Sequence, residues 1–428
     1  MINVPKGTKD LLPRESYKWQ RVEAVAKEVA ALYNVKQIRT PVFENAELFL
    51  RSIGDSTDIV NKEMYIFEDK GGRKMALRPE GTAGVVRSVI ENNLAETLPL
   101  KVFYIEGVYR YEQPQAGRYR EHHQFGAEFF GSDLPCFEVE LLCMARDFLK
   151  KIGFNDLNLH INTIGCDKCR ASYNAALREF LASVEGEICG DCKRRAQVNP
   201  LRTLDCKVPS CREIYKSAPK LSDYICDDCK AHHNQVLDGL KAVGIKYFED
   251  ENLVRGLDYY TRTVFEFCDG DLAVMGGGRY DNLCEQLGGK HIPCVGFGSG
   301  IERLISAAEA RGIDFKNKAP KVFVAAQCDE VRPICMAIAG ALRNARVSAE
   351  YDLMGKSLKA QFKHADKQAY EYVITVGEEE VGSGIYKLKR MKDGAVATLY
   401  ASGDNVGAII AKEIKRVTNG KNGDAFTR

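Results

Sequence analysis

Residues 102–131 read VFYIEGVYRYEQPQAGRYREHHQFGAEFFG, and the architecture of the chain hangs on how that run is parsed. Val102 to Tyr111 and Phe125 to Phe130 are rich in β-branched and aromatic residues, so each predicts a strand. Between them, Gln113-Pro114-Gln115 and Ala116-Gly117 cannot continue a central strand. Proline lacks the ladder donor and glycine weakens pairing, so the chain leaves the sheet there. Arg110, Arg118 and Arg120 then stand at the sheet's rim and along the loop. Such planar forks with permanent charge suit a polyphosphate, and on their own they suit a solvated hairpin tip equally well. The second arm tips the balance. Gln124 and Glu128 share a strand face among Phe125, Ala127, Phe129 and Phe130, where an unpaired carboxylate is costly, so something polar meets them.

Upstream, Trp19, Val22, Val25, Ala26, Val29 and Leu32 recur at helical spacing and predict an amphipathic helix over Glu15 to Leu32. IRTPVFENAELF then predicts an extended run through Pro41, where a helix breaks. Tyr65 to Phe67 and Lys74 to Leu77 bracket a hairpin turn at Gly71-Gly72. Pro79 opens the next helix, with Glu80 and Thr82 in or before its first turn, positions that capping alone explains.

Downstream, LNLHIN predicts a strand, and then the composition changes. Of fifteen cysteines, eight fall between Cys166 and Cys229. They form four spaced pairs: Cys166 with Cys169, Cys189 with Cys192, Cys206 with Cys211, and Cys226 with Cys229. A spacing of two to four lets both sulfurs of a pair reach one tetrahedral ion. The remaining seven lie mostly in apolar runs, where a thiol is a small hydrophobe. Residues 166–250 therefore predict an inserted, largely helical module that leans on the main body or on structural Zn²⁺. Two four-sulfur sites, one site using two pairs, or a site with His232 or His233 replacing a sulfur all fit the spacing. The pairing of pairs stays open.

Further on, Arg255, Asp258, Tyr259 and Tyr260 precede a strand over Thr263 to Phe267, and DLAVMGGGRYDNL runs a strand into three glycines that admit a ligand against bare backbone. CVGFGSGIERLISAAEA is a Gly-punctuated strand entering a helix with Arg303 in its first turns. Beyond the polar linker Lys316 to Pro320, strands and helices alternate over about 100 residues and predict a small domain with a mostly parallel sheet. Asn419 to Arg428 has the character of a disordered tail.

The 102–131 stretch resembles the second signature motif of class II aminoacyl-tRNA synthetases, in the form found in histidyl-tRNA synthetases. Leu253 to Tyr260, Val274 to Asp281 and Val295 to Leu304 resemble that family's two histidine motifs and third class II motif, in family order. The resemblance implies an α+β fold: a class II antiparallel-sheet catalytic core over residues 1–165 and 251–318, the Cys-rich insertion over 166–250, and an α/β anticodon-binding domain over 320–428. It implies synthesis of histidyl-adenylate from histidine and ATP, then transfer to the 3′ end of tRNA-His, by a homodimer. Arg110, Arg255 and Arg303 would be catalytic, and Arg110, Glu112, Arg118, His122 and Arg303 would bind ATP with its Mg²⁺. Glu80, Thr82, Gln124, Glu128, Arg255, Tyr259 and Tyr260 would bind histidine, and Gln115 and Arg120 would meet the tRNA. The sequence departs from the family where His122 stands in place of an aromatic ring under adenine, and Gln113 precedes Pro114 in place of an arginine.

Composition limits the rivals. A chain of 428 residues with 45% hydrophobic content holds two or three domains, and a formal net charge of +2 argues against non-specific wrapping of nucleic acid. The N-terminus shows no apolar secretory core, and no apolar run approaches the roughly 20 residues that span a bilayer, which predicts a cytoplasmic protein with reduced or metal-bound thiols. A synthetase-like regulatory subunit of ATP phosphoribosyltransferase is the rival on the same fold, opposed by the whole RGLDYY run and the following C-terminal domain. A non-catalytic zinc module explains the cysteines and leaves Glu80, Gln124, Glu128 and Tyr260 without a task.

Overall fold

The computed structural model describes residues 2–54, 57, 59–113, 118–204, 206, 208–315, 321–402 and 406–419, with side chains to 416 in the last segment. Gln115, the Lys316-to-Pro320 linker and the tail beyond Asn419 lie outside the described residues. Two compact units emerge, Met1–Phe315 and Lys316–Arg428.

The first unit is built on an eight-stranded sheet. In spatial order its strands are Lys36–Gln37, Leu100–Tyr109, Glu121–Phe130, Cys294–Gly300, Leu272–Arg279, Thr261–Asp269, Asn158–Thr163 and Phe248–Glu249. Only the two outer pairings are parallel. The six inner strands are antiparallel, the sheet class expected of the core. The two arms of the 102–131 stretch pair over ten positions, from Leu100 with Phe130 to Tyr109 with Glu121, so the second arm is longer than the sequence indicated.

One face of this sheet is covered by the helices Pro13–Leu32, Cys136–Ile152 and Ile301–Ala310, which bury Trp19, Val22, Phe148 and Leu304 against Phe125, Phe129, Phe265 and Phe297. The other face meets the helix Thr82–Glu91 and the Cys-rich segment. Tyr173, Leu177, Ile188 and Tyr215 of that segment share one apolar cluster with Tyr104, Phe130, Tyr259 and Tyr260. The segment folds as the helices Asp167–Ser183, Gly190–Val198, Pro209–Tyr215 and Asp227–Ala242 within the first unit.

Two expectations need correction. The extended run through Pro41 ends at Asn45, and Ala46–Ile53 is a helix that buries Ala46, Leu48, Phe49 and Ile53. Four apolar positions on one short helical face outweigh the local extended bias left by proline. In the second unit the five-stranded sheet runs Ala349–Tyr351, Val322–Ala326, Tyr372–Val376, Ile385–Arg390 and Val396–Tyr400. Two of its pairings are parallel and two antiparallel, so the sheet is mixed, because the last strands follow one another by short connections that turn back. The helix Val406–Asn419 closes the described part of this unit.

Candidate active site

At the centre of the first unit a carboxylate is buried in a ring of hydroxyls. Glu128 is 1% exposed; Thr82 Oγ1 donates to its Oε1 at 2.8 Å, the Tyr104 hydroxyl donates to the same oxygen at 3.3 Å, and the Tyr280 hydroxyl donates to Oε2. Burial pushes its pKa up to about 8, opposed by the Tyr280 and Thr82 hydroxyls. Register creates the space. Gly296 lies opposite Glu128 and Gly300 opposite Gln124, and a Cβ on Gly296 or Gly298 would collide with the Glu128 carboxylate or the Gln124 amide. Gln124 Oε1 is buried without a hydrogen-bond partner among the described residues, which leaves an acceptor free for a ligand.

Glu80 is also buried, and its carboxylate accepts from the backbone N–H groups of Thr82 (2.6 Å) and Ala83 (2.7 Å). Capping is thus its task in this structure, and Thr82 turns its hydroxyl to Glu128. Tyr259 and Tyr260 are buried beside this pocket, with the Tyr259 and Tyr280 rings edge to face at 5.4 Å.

A cavity of about 190 Å³ is lined by Arg110, Glu112, Arg118, His122, Arg255 and Arg303 among others, and reaches Gly298, against which the Gln124 amide lies. Every residue assigned to ATP from the sequence is in that set. Three arginines are tethered by hydrogen bonds: Arg110 Nε donates to Pro79 O at 2.7 Å, Arg303 Nη1 to Ala273 O at 3.1 Å, and Arg255 Nη1 to Glu266 Oε1. Arg255 lies against Gly276, where a Cβ would strike its guanidinium, which explains the first of the three glycines. His122 is held neutral, its pKa lowered to about 4 by burial and by Arg110 and Arg303, so it offers an uncharged flat ring to the cavity. Glu112 Oε2 is buried with no hydrogen-bond partner among the described residues. Arg120 stands apart from that lining, with its guanidinium 3.7 Å from the centre of the Tyr111 ring.

The sequence reading missed Tyr104, Tyr280 and Glu266. Tyr104 passes for an ordinary strand aromatic, yet it stands opposite Gly126, and a Cβ on Gly126 or Gly81 would run into its ring. Tyr280 directly follows the Gly276-Gly277-Gly278-Arg279 run, which was the available signal.

The eight paired cysteines converge in two groups, Cys166/Cys169/Cys226/Cys229 and Cys189/Cys192/Cys206/Cys211, with the ligand atoms of each group within 4.8 Å of one another. Sulfur separations of 3.6 Å for Cys166 and Cys169 and 3.8 Å for Cys189 and Cys206 match the edge of a tetrahedron around an ion with Zn–S near 2.3 Å, about 3.8 Å. Cys226 N–H points at Cys169 Sγ and Cys189 N–H at Cys211 Sγ, both at 3.2 Å. Cys166, Cys189 and Cys226 each sit at the N-cap of a helix, where the dipole favours thiolate. The donor set fits zinc. His232 belongs to neither group: its ring pairs with Glu138 at 2.6 Å and Arg262 at 3.2 Å, and His233 faces Glu249 at 3.4 Å.

The family described as histidyl-tRNA synthetase matches residues 7–304. The chain belongs to the histidyl-tRNA synthetase family. A second match, the anticodon binding domain, covers residues 321–403. The histidine–tRNA ligase of Caldanaerobacter subterraneus is 50% identical over 92% of this chain and 96% of its own length. That of Clostridioides difficile is 45% identical over 94% and 97%. Among solved structures, the apo histidyl-tRNA synthetase of S. aureus superposes with a TM-score of 0.78 at 36% identity, covering 94% of this chain and 97% of that one. A protein of Bacillus halodurans titled ATP phosphoribosyltransferase regulatory subunit/histidyl-tRNA synthetase shares the fold at 22% identity and a TM-score of 0.67. The histidyl-tRNA synthetase fold, with its antiparallel-rich sheet and C-terminal anticodon-binding domain, is thus the fold of this chain, and the regulatory reading is the less supported of the two.

Proposed function

We propose that this chain joins histidine to ATP as histidyl-adenylate and transfers the histidyl group to the 3′ end of tRNA-His. The observation that carries the proposal is a buried carboxylate ringed by Tyr104, Tyr280 and Thr82 on the same strand as Gln124, whose amide lies against Gly298 in the wall of a cavity that also holds Arg110, Arg118, Arg255 and Arg303. Neutral imidazole presents one donor and one acceptor; Glu128 accepts from the ring N–H, and the Tyr260 hydroxyl serves the other nitrogen. Gln124, Tyr259 and the region of Glu80 and Thr82 receive the α-ammonium end. Arg110 and Arg255 flank the α-phosphate, Arg118 and Arg303 take the β and γ end, Glu112 binds the adenine amino group and His122 stacks on the base. Mg²⁺ enters with the nucleotide. Displacement of pyrophosphate asks for positioned cations more than covalent help, and four arginines around one cavity supply them.

In this reading residues 1–165 and 251–318 are catalytic, 166–250 are an insertion stiffened by structural Zn²⁺, and 320–428 bind the anticodon, while Gln115 and Arg120 meet the acceptor end. Exposed Val42, Phe43, Ile66 and Phe67, on and beside the three-stranded sheet formed by Phe43–Asn45, Lys74–Leu77 and Ile66–Glu68, suit burial against a second copy, so the working form is a homodimer. No helix among the described residues is long and apolar enough to cross a membrane, and we assign the protein to the cytoplasm with its substrates. Histidine-dependent exchange of pyrophosphate into ATP tests the proposal, and absence of exchange by well-folded protein sinks it.

A further inference from the structure

We propose that the two thiolate groups are separate zinc sites with different tasks, and that the ion held by Cys189, Cys192, Cys206 and Cys211 positions residues 251–260, the segment that presents Arg255. The inference rests on the zinc reading above and deepens it.

Between the strand Phe248–Glu249 and the strand Thr261–Asp269 the chain has neither helix nor strand, so Arg255, Tyr259 and Tyr260 depend on outside ties for their place. Two of those ties come from the turn strung between Cys192 and Cys206. Asn199 Nδ2 donates to Asp258 Oδ1 at 2.9 Å, and Arg202 Nη1 donates to Gly256 O at 2.6 Å, with Asp258 Oδ1 at 3.8 Å from the same guanidinium nitrogen. The turn itself is the short 3-10 segment Pro200–Thr203. A bound ion fixes both ends of that loop, Cys192 and Cys206, and thereby the spot from which Asn199 and Arg202 reach across.

The group Cys166/Cys169/Cys226/Cys229 has another address. Its helices are already anchored to the sheet by a buried network: Arg279 and Glu138 are both fully buried and paired, His232 bonds to Glu138, and Arg262 N donates to Gly165 O at 2.8 Å. That ion closes the base of the module, and its loss is shared with many other contacts. A cavity of about 340 Å³ is walled by Asn199 and Arg202 of the turn between Cys192 and Cys206 together with Val254, Arg255 and Asp258, so the placement of the turn also shapes the approach to Arg255.

The test combines metal content with kinetics. Protein purified without chelator is expected to carry two zinc ions per chain by plasma mass spectrometry, and Co²⁺ substitution is expected to give tetrahedral four-thiolate absorption. Cys192→Ser with Cys206→Ser is expected to retain one ion and lose roughly 10- to 100-fold in kcat of pyrophosphate exchange, with a smaller change in histidine KM. Should that variant fail to fold, Asn199→Ala with Arg202→Ala keeps all eight sulfurs; it is expected to hold two ions and show the same fall in kcat, with Arg202→Lys recovering part of the rate. Unchanged kcat in the Asn199/Arg202 variant, or in a one-ion cysteine variant, overturns the positioning role. Fewer than one ion per chain with reduced cysteines overturns the metal sites, while wild-type exchange reads the synthetase function separately.

Discussion

Arg255 lies against the bare backbone of Gly276 and donates from Nη1 to the carboxylate of Glu266, while its Nε is buried with no hydrogen-bond partner among the described residues. A guanidinium fixed this way is oriented before substrate arrives, and Nε remains available to an oxygen of the reacting phosphate. If Arg255 supplies charge at the transition state, Arg255→Ala lowers the single-turnover rate of adenylation by a factor on the order of 10² to 10³, with a smaller effect on histidine KM. Near-normal adenylation in rapid-quench measurements removes Arg255 from the mechanism.

The Tyr280 hydroxyl donates to Glu128 Oε2, the oxygen nearest Gly296. Tyr280→Phe deletes that donor and keeps the ring. A neutral hydrogen bond contributes about 0.5–1.5 kcal/mol, so histidine KM rises roughly 2- to 10-fold while ATP KM stays near wild type. Equal increases for both substrates would show that Tyr280 supports the whole cleft and not the histidine pocket.

What the sequence disclosed, and what it withheld, follows from the range of the forces involved. Arg110, Glu112, Arg118, His122 and Arg303 were legible because charged and polar residues at a strand end and a helix start are conspicuous, and they do line one cavity. Family resemblance supplied their roles. Tyr280, just past the strand Leu272–Arg279, had only its place after the glycine run as a signal. Tyr104 was not legible because a tyrosine in an apolar strand looks like core until its hydroxyl's partner is known. That partner depends on a register bringing Gly296 opposite Glu128, a contact between residues far apart in the chain. The cysteine pairs were visible as pairs, but joining Cys166/Cys169 to Cys226/Cys229 across the Cys189–Cys211 group required the helix packing. The helix Ala46–Ile53 was lost to a local rule about proline that four buried apolar residues override.

Glu128 also makes stability depend on pH. Its folded pKa, about 8, lies above the ordinary glutamate value, so between roughly pH 4.5 and 8 the native state holds a proton that the unfolded chain has released. Stability therefore falls as pH rises through that window, by up to about 1.4 kcal/mol per pH unit from this group. Burial shifts Glu80 in the same direction. Thermal melting of ligand-free protein from pH 5.5 to 8.5 is expected to show a falling Tm, and Glu128→Gln to flatten the slope. An identical slope in the Gln variant would place the titration elsewhere.

The last prediction uses two glycines of one strand as a matched pair. A Cβ on Gly296 would overlap the Glu128 carboxylate and come within 2.8 Å of Ala127 O, which is backbone and cannot swing aside. Gly296→Ala must then push Glu128 into the space proposed for the imidazole, or part the Glu121–Phe130 and Cys294–Gly300 strands. Either way histidine saturation is lost and Tm drops, since overpacking a tight site costs on the order of 1–3 kcal/mol. Gly300, four residues on, has an ordinary negative φ of −76°, and its Cβ would meet only Arg303 Cβ at 3.9 Å. Gly300→Ala is accordingly expected to leave Tm and histidine KM close to wild type. If both substitutions behave alike, in melting and in histidine KM, the close approach of Gly296 to Glu128 is not what shapes the pocket.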